Sequence, residues 1–339
     1  MIRFSWGLCI LILLTCCTAR TNLYAQENFL FGLTVHGRPV TAKKLFTLEA
    51  EVGVPVRIVN FYLQWPKNPK NRFFPGKSLE VIHDFGALAC LTWEPMFYFQ
   101  EEEKMIKAEQ VLNGTYDHYI QAFAKQASKL NYKFILRFAH EMNIQRYHWG
   151  TSKQDYGKNS PNLYKKMFRY IVTQFRQQGA ENVIFAFCPN AESVPNTSYD
   201  PSAAWNKIKN YYPGDEYVHI LGLDGYNWGN TQTEENDGWN SQWLSFEQIF
   251  SRALHELQEL SAQKPVLIFE CASVAQGGNR EKWLLDALEK MHFWRIKGLC
   301  WFQVDKEVNW KFKGSKLPGA RSRLRQMTFK FPEWLSISN

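Results

Sequence analysis

The sequence contains no long run of like charges, no C-x-x-C pair and no hydrophobic stretch long enough to span a membrane. Its 40 Lys and Arg residues and 32 Asp and Glu residues are scattered, which argues against a phosphate-binding stripe and against nucleic-acid binding. The missing C-x-x-C pair argues against a zinc knuckle or a thioredoxin-type redox site. No low-complexity linker interrupts the chain after its N-terminal segment, so we expect one domain over residues 26–339.

The first 25 residues have the order of a secretory signal peptide. Arg3 precedes an apolar segment at residues 4–14, and small and polar residues follow as far as Ala25, so cleavage after Ala19 or Ala25 is consistent with the pattern. The apolar segment is well short of the ~20 residues of a spanning helix. Residues 13–16 form a degenerate lipoprotein box ending in Cys16, which leaves a lipid anchor as an alternative. We expect a secreted or periplasmic protein, attached to the cell surface if it carries the lipid.

Eight short apolar segments alternate with helical segments along the rest of the chain. Each segment is nearly continuously apolar, as expected of parallel strands that are buried on both faces. The alternation predicts a (β/α)8 barrel. A doubly wound sheet is the alternative fold, but it usually has a Gly-rich phosphate loop after its first strand, and residues 30–37 contain no such loop. The predicted strands are residues 30–35, 56–62, 87–93, 134–138, 183–187, 219–223, 266–269 and 298–302. The predicted helices are residues 41–51, 77–85, 116–130, 163–178, 246–260, 279–291 and 317–327.

The cysteines outside the N-terminal segment are Cys90, Cys188, Cys271 and Cys300, and each lies in or next to a predicted strand. We expect buried thiols in a large core. A bridge between Cys271 and Cys300 stays open if their strands are neighbours.

Polar residues collect at the ends of the predicted strands, where barrel enzymes carry their sites. The fourth strand ends in Arg137, His140 and Glu141, and the seventh ends in Glu270. The loops after the fourth and sixth strands, residues 142–161 and 226–244, are long and polar. Because Ile144 stands where a zinc protease would have its second histidine, we expect no metal. A structural salt bridge between Arg137 and Glu141 is the alternative interpretation of the fourth strand.

Two glutamates at the ends of the fourth and seventh strands face one another across the mouth of such a barrel. A separation of about 5–5.5 Å between Glu141 and Glu270 is the arrangement used for retaining glycoside hydrolysis. One carboxyl then stays protonated while the other attacks the anomeric carbon, so their environments must differ. Tyr226, after the sixth strand, is placed to donate a hydrogen bond to the attacking carboxylate and to keep it ionised.

Aromatic residues are abundant, with 13 Trp, 15 Tyr and 25 Phe. Indole rings at a barrel mouth offer flat faces for sugar rings, although a single Trp is more often part of a core. The candidate substrate-binding residues at strand ends are Trp93, Trp149, Asn190, Asp224, Trp228 and Trp301; for Asp224, an ordinary turn with Gly225 is the alternative.

The segments 137–143, 149–150, 222–228 and 264–270 together resemble glycoside hydrolase family 26, and the match runs in order from about residue 31 to residue 310. That family is best known for endo-β-1,4-mannanases, with some β-1,3-1,4-glucanases and β-1,3-xylanases, on a (β/α)8 barrel. The resemblance implies that Glu141 is the acid/base, that Glu270 is the nucleophile and that Tyr226 positions it. It also implies that His140, Arg137 and Trp301 line the subsite for the distorted sugar.

The sequence departs from the family pattern just after the proposed acid/base. Family members usually continue with Gly, any residue and Trp, where this chain has Ile144 and Arg146. We hypothesise that Arg146 binds an acidic or substituted glycan in place of the lost indole contact.

The sequence thus predicts an exported, monomeric, retaining endo-β-mannanase that needs no cofactor and binds a polysaccharide or oligosaccharide. The alternatives are a glucanase, a xylanase or an exopolysaccharide-processing hydrolase of the same family, or a glycan-binding barrel without catalysis.

Overall fold

The computed structural model describes residues 29–152 and 156–327. The strands are β1 Leu30–Thr34, β2 Ile58–Gln64, β3 Leu88–Glu94, β4 Met96–Phe99, β5 Glu102–Met105, β6 Phe134–Phe138, β7 Val183–Phe187, β8 Ile220–Asn227, β9 Val266–Ser273 and β10 Gly298–Phe302. Eight of them are parallel and close into a barrel in the order β1-β10-β9-β8-β7-β6-β3-β2, and β4 and β5 form a separate antiparallel hairpin. The predicted (β/α)8 barrel is therefore confirmed.

Helices surround the barrel and cover the outward faces of its strands. A Thr41 cap precedes α1 and a capping box of Ser245 and Gln248 opens α7, so local sequence signals fix where these helices begin. The helices are α1 Ala42–Val52, α2 Gly76–Asp84, α3 Ala108–Leu112, α4 Asp117–Ala127, α5 Ser160–Gln177, α6 Glu234–Asp237, α7 Phe246–Leu260, α8 Arg280–Phe293 and α9 Pro318–Gln326. Within the described ranges, no helix is long and apolar enough to cross a membrane.

Two apolar clusters divide the core. A small cluster fills the barrel and includes Ile58, Cys90, Ile135 and Phe269. A larger one lies between the strands and the helices. Because side chains alternate along a strand, residues next to the interior ones point outward into the larger cluster. The interior is thus filled with side chains below a mouth that is formed by the carboxyl ends of the strands.

Several predictions need correction. The sixth and seventh barrel strands, β8 and β9, run four residues beyond their predicted ends, so Tyr226 lies in β8 and not in a loop. The β4–β5 hairpin and α3 were not predicted. Cys90, Cys188, Cys271 and Cys300 are all buried and free, so the bridge between Cys271 and Cys300 is not formed. The predicted signal peptide lies outside the described residues; it stays a prediction, as do the single domain over residues 26–339, lipid attachment and the monomeric state.

Candidate active site

A large open cavity of about 1210 Å³ lies at the carboxyl ends of the barrel strands. Glu141 and Glu270 both line it, although each is nearly buried, with exposed fractions of 6% and 4%. The two predicted carboxylates therefore meet in one cavity, as the sequence indicated. Their separation stays a prediction.

A β-bulge turns Glu270 towards the barrel axis. Between the pairs Leu223–Ile268 and Asp224–Glu270 the register shifts by one residue, and Phe269 is the extra residue of β9. Phe269 belongs to the interior cluster, and the bulge makes Glu270 point inward as well. Gly222 on β8 makes room, because a Cβ atom there would lie 2.4 Å from the Phe269 ring.

Glu141 lies in an unusual backbone conformation just beyond β6. Its φ is +51° and that of Ala139 is +45°, a left-handed region that costs energy for residues other than glycine. Two backbone hydrogen bonds hold this turn, from the Ala139 amide to Trp93 and from the Glu141 amide to Cys188. The turn directs the Glu141 side chain into the cavity.

Glu270 is surrounded by hydrogen-bond donors. Tyr62 donates to its Oε1 at 2.5 Å, Tyr226 donates to its Oε2 at 2.6 Å, and Arg137 forms an ion pair with Oε1. Burial and the charge of Glu270 raise the pKa of both tyrosines well above the ordinary value, so both stay protonated and keep donating. Glu270 is therefore held by one cation and two hydroxyl donors.

Glu141 has a different environment. Its only side-chain partner among the described residues is Asn190, whose Nδ2 donates to Oε1 at 2.6 Å. Burial raises the pKa of Glu141 to about 7, and the charge of Glu270 adds to this effect while the Asn190 bond opposes it. Asn190 is itself fixed by Asn143, which bonds to both the backbone N–H and the backbone carbonyl of Asn190.

Arg137, Asp224 and His140 lie beneath the cavity and do not line it. Arg137 is fully buried and bonds Asp224 at 2.6 and 2.8 Å, besides its ion pair with Glu270. The predicted direct sugar contacts of Arg137 and Asp224 are therefore wrong, and so is the alternative salt bridge between Arg137 and Glu141. His140 lies 3.9 Å from Glu270, and burial and the charge of Arg137 lower its pKa well below the ordinary value, which keeps the ring neutral.

His140, Asp224 and Glu270 place one ligand-type atom each within 4.8 Å of one another. The Arg137 guanidinium already bonds both carboxylates of this group. A metal cation there would be close to a fixed positive charge, so this cluster is better suited to orienting Glu270 than to binding a metal.

Of the four predicted tryptophan platforms, only Trp228 lines the cavity. Trp93 and Trp301 have no exposed surface, because each lies one residue from an interior position of its strand and so points outward towards the helices. Trp149 is also buried; it donates to the His140 carbonyl at 2.7 Å and stacks on Tyr147 at 4.7 Å. The platform predictions for Trp93, Trp149 and Trp301 are therefore wrong.

Several cavity residues were missed by the sequence reasoning, namely Tyr62, Gln64, Glu94, Tyr147, Trp239 and Trp310. Tyr62, Gln64 and Glu94 occupy alternate positions at the ends of β2 and β3, so the two-residue period of a strand was the signal that could have found them. Tyr147 and Trp239 lie in loops, where no such period exists.

Arg146 does line the cavity, but it has a charge partner. Both terminal nitrogens of its guanidinium bond Glu103 of β5, at 2.9 and 2.7 Å, and its Cζ lies 5.1 Å from the Tyr147 ring centre. The unpredicted hairpin therefore supplies a carboxylate that balances the arginine. This pairing weakens the hypothesis that Arg146 binds an acidic glycan.

A family model described as Glycosyl hydrolase family 26 matches residues 92–268 of this chain. The chain belongs to glycosyl hydrolase family 26. The matched segment includes Glu141 and ends two residues before Glu270. The resemblance found in the sequence is thus confirmed.

Curated relatives extend this likeness. Endoglucanase H of Acetivibrio thermocellus is 34% identical over 239 residues, which is 70% of this chain and 24% of that protein. A mannan endo-1,4-beta-mannosidase of Bacillus subtilis is 30% identical over 97 residues, which is 27% of this chain and 23% of that protein. The chain thus matches about a quarter of the length of these relatives.

Solved structures show the same fold at low identity. A Bacillus subtilis mannanase has a TM-score of 0.59 at 16% identity, covering 87% of this chain and 86% of that one. A GH26 β-mannanase from Bacteroides ovatus has a TM-score of 0.54 at 17% identity, covering 90% and 88%. The barrel architecture is common to all three chains.

Proposed function

We propose that this family 26 chain is a retaining, endo-acting β-glycan hydrolase in which Glu141 is the acid/base and Glu270 the nucleophile. The observation that carries the proposal is the contrast between the two carboxyls of one cavity. Glu270 accepts bonds from one cation, Arg137, and from two hydroxyl groups, those of Tyr62 and Tyr226. Burial with one neutral amide donor raises the pKa of Glu141 to about 7, so that this group can give and take a proton near neutrality.

In the first step Glu270 attacks the anomeric carbon as Glu141 protonates the glycosidic oxygen, and the bond from carbon to that oxygen breaks. Oε2 is the better placed attacking atom, because Tyr226 alone bonds it within the described ranges, whereas Oε1 is bonded by Tyr62 and Arg137. In the second step Glu141 takes a proton from water, the water oxygen bonds to the anomeric carbon, and the ester to Glu270 breaks. Both carboxyls regain their starting states.

Two substrates are proposed for this reaction. The likeness to a protein named Endoglucanase H covers 70% of the chain, whereas that to the Bacillus subtilis mannosidase covers 27%. The match spans 24% of Endoglucanase H, so the name of that protein does not by itself assign an activity to this chain. We therefore propose β-glucan beside β-1,4-mannan as a substrate and favour β-glucan, although the sequence motifs alone favour mannan.

Purified protein can be screened for reducing ends released from mannan, glucomannan, mixed-linkage β-glucan and β-1,3-xylan. We expect one of the first three to be cleaved internally with retention of configuration, measured by NMR. Glu141→Gln and Glu270→Gln should each lower turnover by several orders of magnitude, and azide should restore turnover of an aryl glycoside by Glu141→Ala only. Full turnover by both Gln variants would contradict the proposal, and binding without sugar release would favour the glycan-binding alternative.

We further propose that residues 1–25 direct export. Expression of the chain with and without this segment, followed by fractionation, tests it. The full chain should reach the periplasm or medium, and radiolabelled palmitate in the product would indicate the lipid-anchored form.

A further inference from the structure

Glu94 is a buried carboxylate of the cavity that the proposed reaction does not use. It is the last residue of β3, is 4% exposed and lines the same cavity as Glu141 and Glu270. Counted round the barrel, its strand is the third and that of Glu270 is the seventh, so the two carboxylates lie on opposite sides of the mouth. Glu94 therefore lines the cavity across the mouth from the proposed nucleophile.

Few protein groups compensate the Glu94 carboxylate. Within the described ranges its only side-chain hydrogen bond comes from Gln64, whose Nε2 donates to Oε2 at 2.5 Å, and it forms no ion pair. A buried carboxylate normally has several donors or a cation, because burial without them is costly. Burial raises the pKa of Glu94 to about 7, although the Gln64 bond opposes the shift. The charged or titratable groups that face it are Arg38, Tyr98, Glu103, Arg137, Tyr147 and Glu270.

The wall around Glu94 has the chemistry of a sugar-binding surface. Phe73 and Tyr98 line the cavity there and are 48% and 54% exposed, which provides apolar faces for C–H groups. Arg38 and Gln64 add hydrogen-bond donors beside the carboxylate acceptor. These groups come from the loops and strand ends of β1 to β4, whereas Glu141 and Asn190 follow β6 and β7.

We propose that Glu94 accepts hydroxyl hydrogen bonds from a neutral hexose on this wall and, with Arg38 and Gln64, forms a subsite that selects the sugar. The inference rests on the proposed function, because it requires a glycan in the cavity. Gluco- and manno-configured units differ in the direction of one hydroxyl, so an acceptor fixed on a strand can distinguish them. A hydrogen bond to a charged acceptor is about twice as strong as a neutral one, which makes such a group an effective selector.

Calorimetry on the full chain carrying Glu141→Gln tests the subsite. That background prevents turnover and removes the other carboxyl whose pKa is about 7. The probes are gluco- and manno-configured β-linked tetrasaccharides, titrated near pH 7 in buffers of different ionisation enthalpy. Hydroxyl donors stabilise the ionised Glu94 and lower its pKa, so binding should release protons. Adding Glu94→Gln should abolish this proton release. It should also lower the affinity for the preferred tetrasaccharide roughly 10- to 100-fold and reduce the ratio of the two affinities.

Glu289→Gln is the matched control, because it removes the same charge from the exposed side of α8, outside both cavities. It should leave affinity and proton release unchanged. Glu94→Gln is expected to fold, since its amide oxygen can still accept the Gln64 bond, and melting curves check this. Equal proton release with and without Glu94 would overturn the subsite. An equal loss of affinity for both tetrasaccharides in Glu94→Gln and in the control variant would also overturn it. In either case, hydrolysis by the wild type would leave the proposed function standing. No binding of either tetrasaccharide would overturn the subsite, and wild-type inactivity would overturn the function.

Discussion

Replacing Glu141 by Gln should make the protein more stable at alkaline pH while removing its activity. In the folded chain the pKa of Glu141 rises from 4.5 to about 7, because burial disfavours the carboxylate. The folded state therefore holds a proton that the unfolded chain loses between pH 4.5 and about 7, and stability falls as pH rises through that window. The shift corresponds to about 3 kcal/mol above pH 7, an order-of-magnitude figure. Gln has no such charge to bury, and its amide oxygen can keep the Asn190 bond.

The test is a pair of melting curves for wild type and Glu141→Gln, near pH 4.5 and near pH 8. For a chain of this size about 3 kcal/mol corresponds to roughly 5 °C in Tm. We expect the variant to melt about that much higher near pH 8 and within about 1 °C of wild type near pH 4.5. Glu289→Gln on the exposed side of α8 should change neither value. A variant less stable than wild type near pH 8 would refute the claim that burial sets the proton affinity of this carboxyl.

Three further outcomes follow from contacts of the site. Tyr226→Phe removes the donor to Glu270 Oε2 and should lower kcat by about 10- to 100-fold with little change in Tm, measured by steady-state kinetics. Arg146→Ala should change activity on uronate-bearing and neutral polymers by the same factor, because Glu103 already balances the charge of Arg146. A selective loss of activity on the uronate-bearing polymer would support the acidic-glycan hypothesis instead. A second cavity adjoins the first and is lined by Tyr199, which is 60% exposed. Because only a long substrate can reach this cavity from the first, Tyr199→Ala should reduce kcat/KM on polymer but not on an aryl glycoside. The control variant Phe293→Ala on α8 should change neither value.

The strand segments of the barrel could be predicted because burial on both faces leaves a continuous apolar run that few other elements show. Val183–Phe187 and Gly298–Phe302 have the bounds predicted from such runs. The predicted ends of β8 and β9 come too early, because Asp224 and Glu270 interrupt the apolar run although the backbone pairing continues. Polar residues at a functional strand end look like the start of a loop when only hydrophobicity is considered.

The direction of side chains was the less predictable part of the site. Their positions at strand ends predict Trp93 and Trp301 at the mouth, yet the alternation that puts Cys90 and Cys300 inside the barrel puts both indoles outside. Alternation alone would also have failed for Glu270, because Phe269 precedes it and points inward too. Only the bulge, a feature of backbone pairing without a sequence signature here, brings Glu270 to the cavity.

The contrast between the two glutamates follows from how each leaves its strand. The bulge holds Glu270 over the barrel interior, where Arg137 bonds it and Asp224 together. Glu141 lies beyond its strand in a left-handed turn, and its side chain accepts a hydrogen bond from Asn190. A cation bonds one carboxyl and a neutral amide bonds the other, so the same residue type has two different environments in one cavity. The left-handed turn and the bulge are thus the backbone features that give the two carboxyls the different partners on which the proposed chemistry depends.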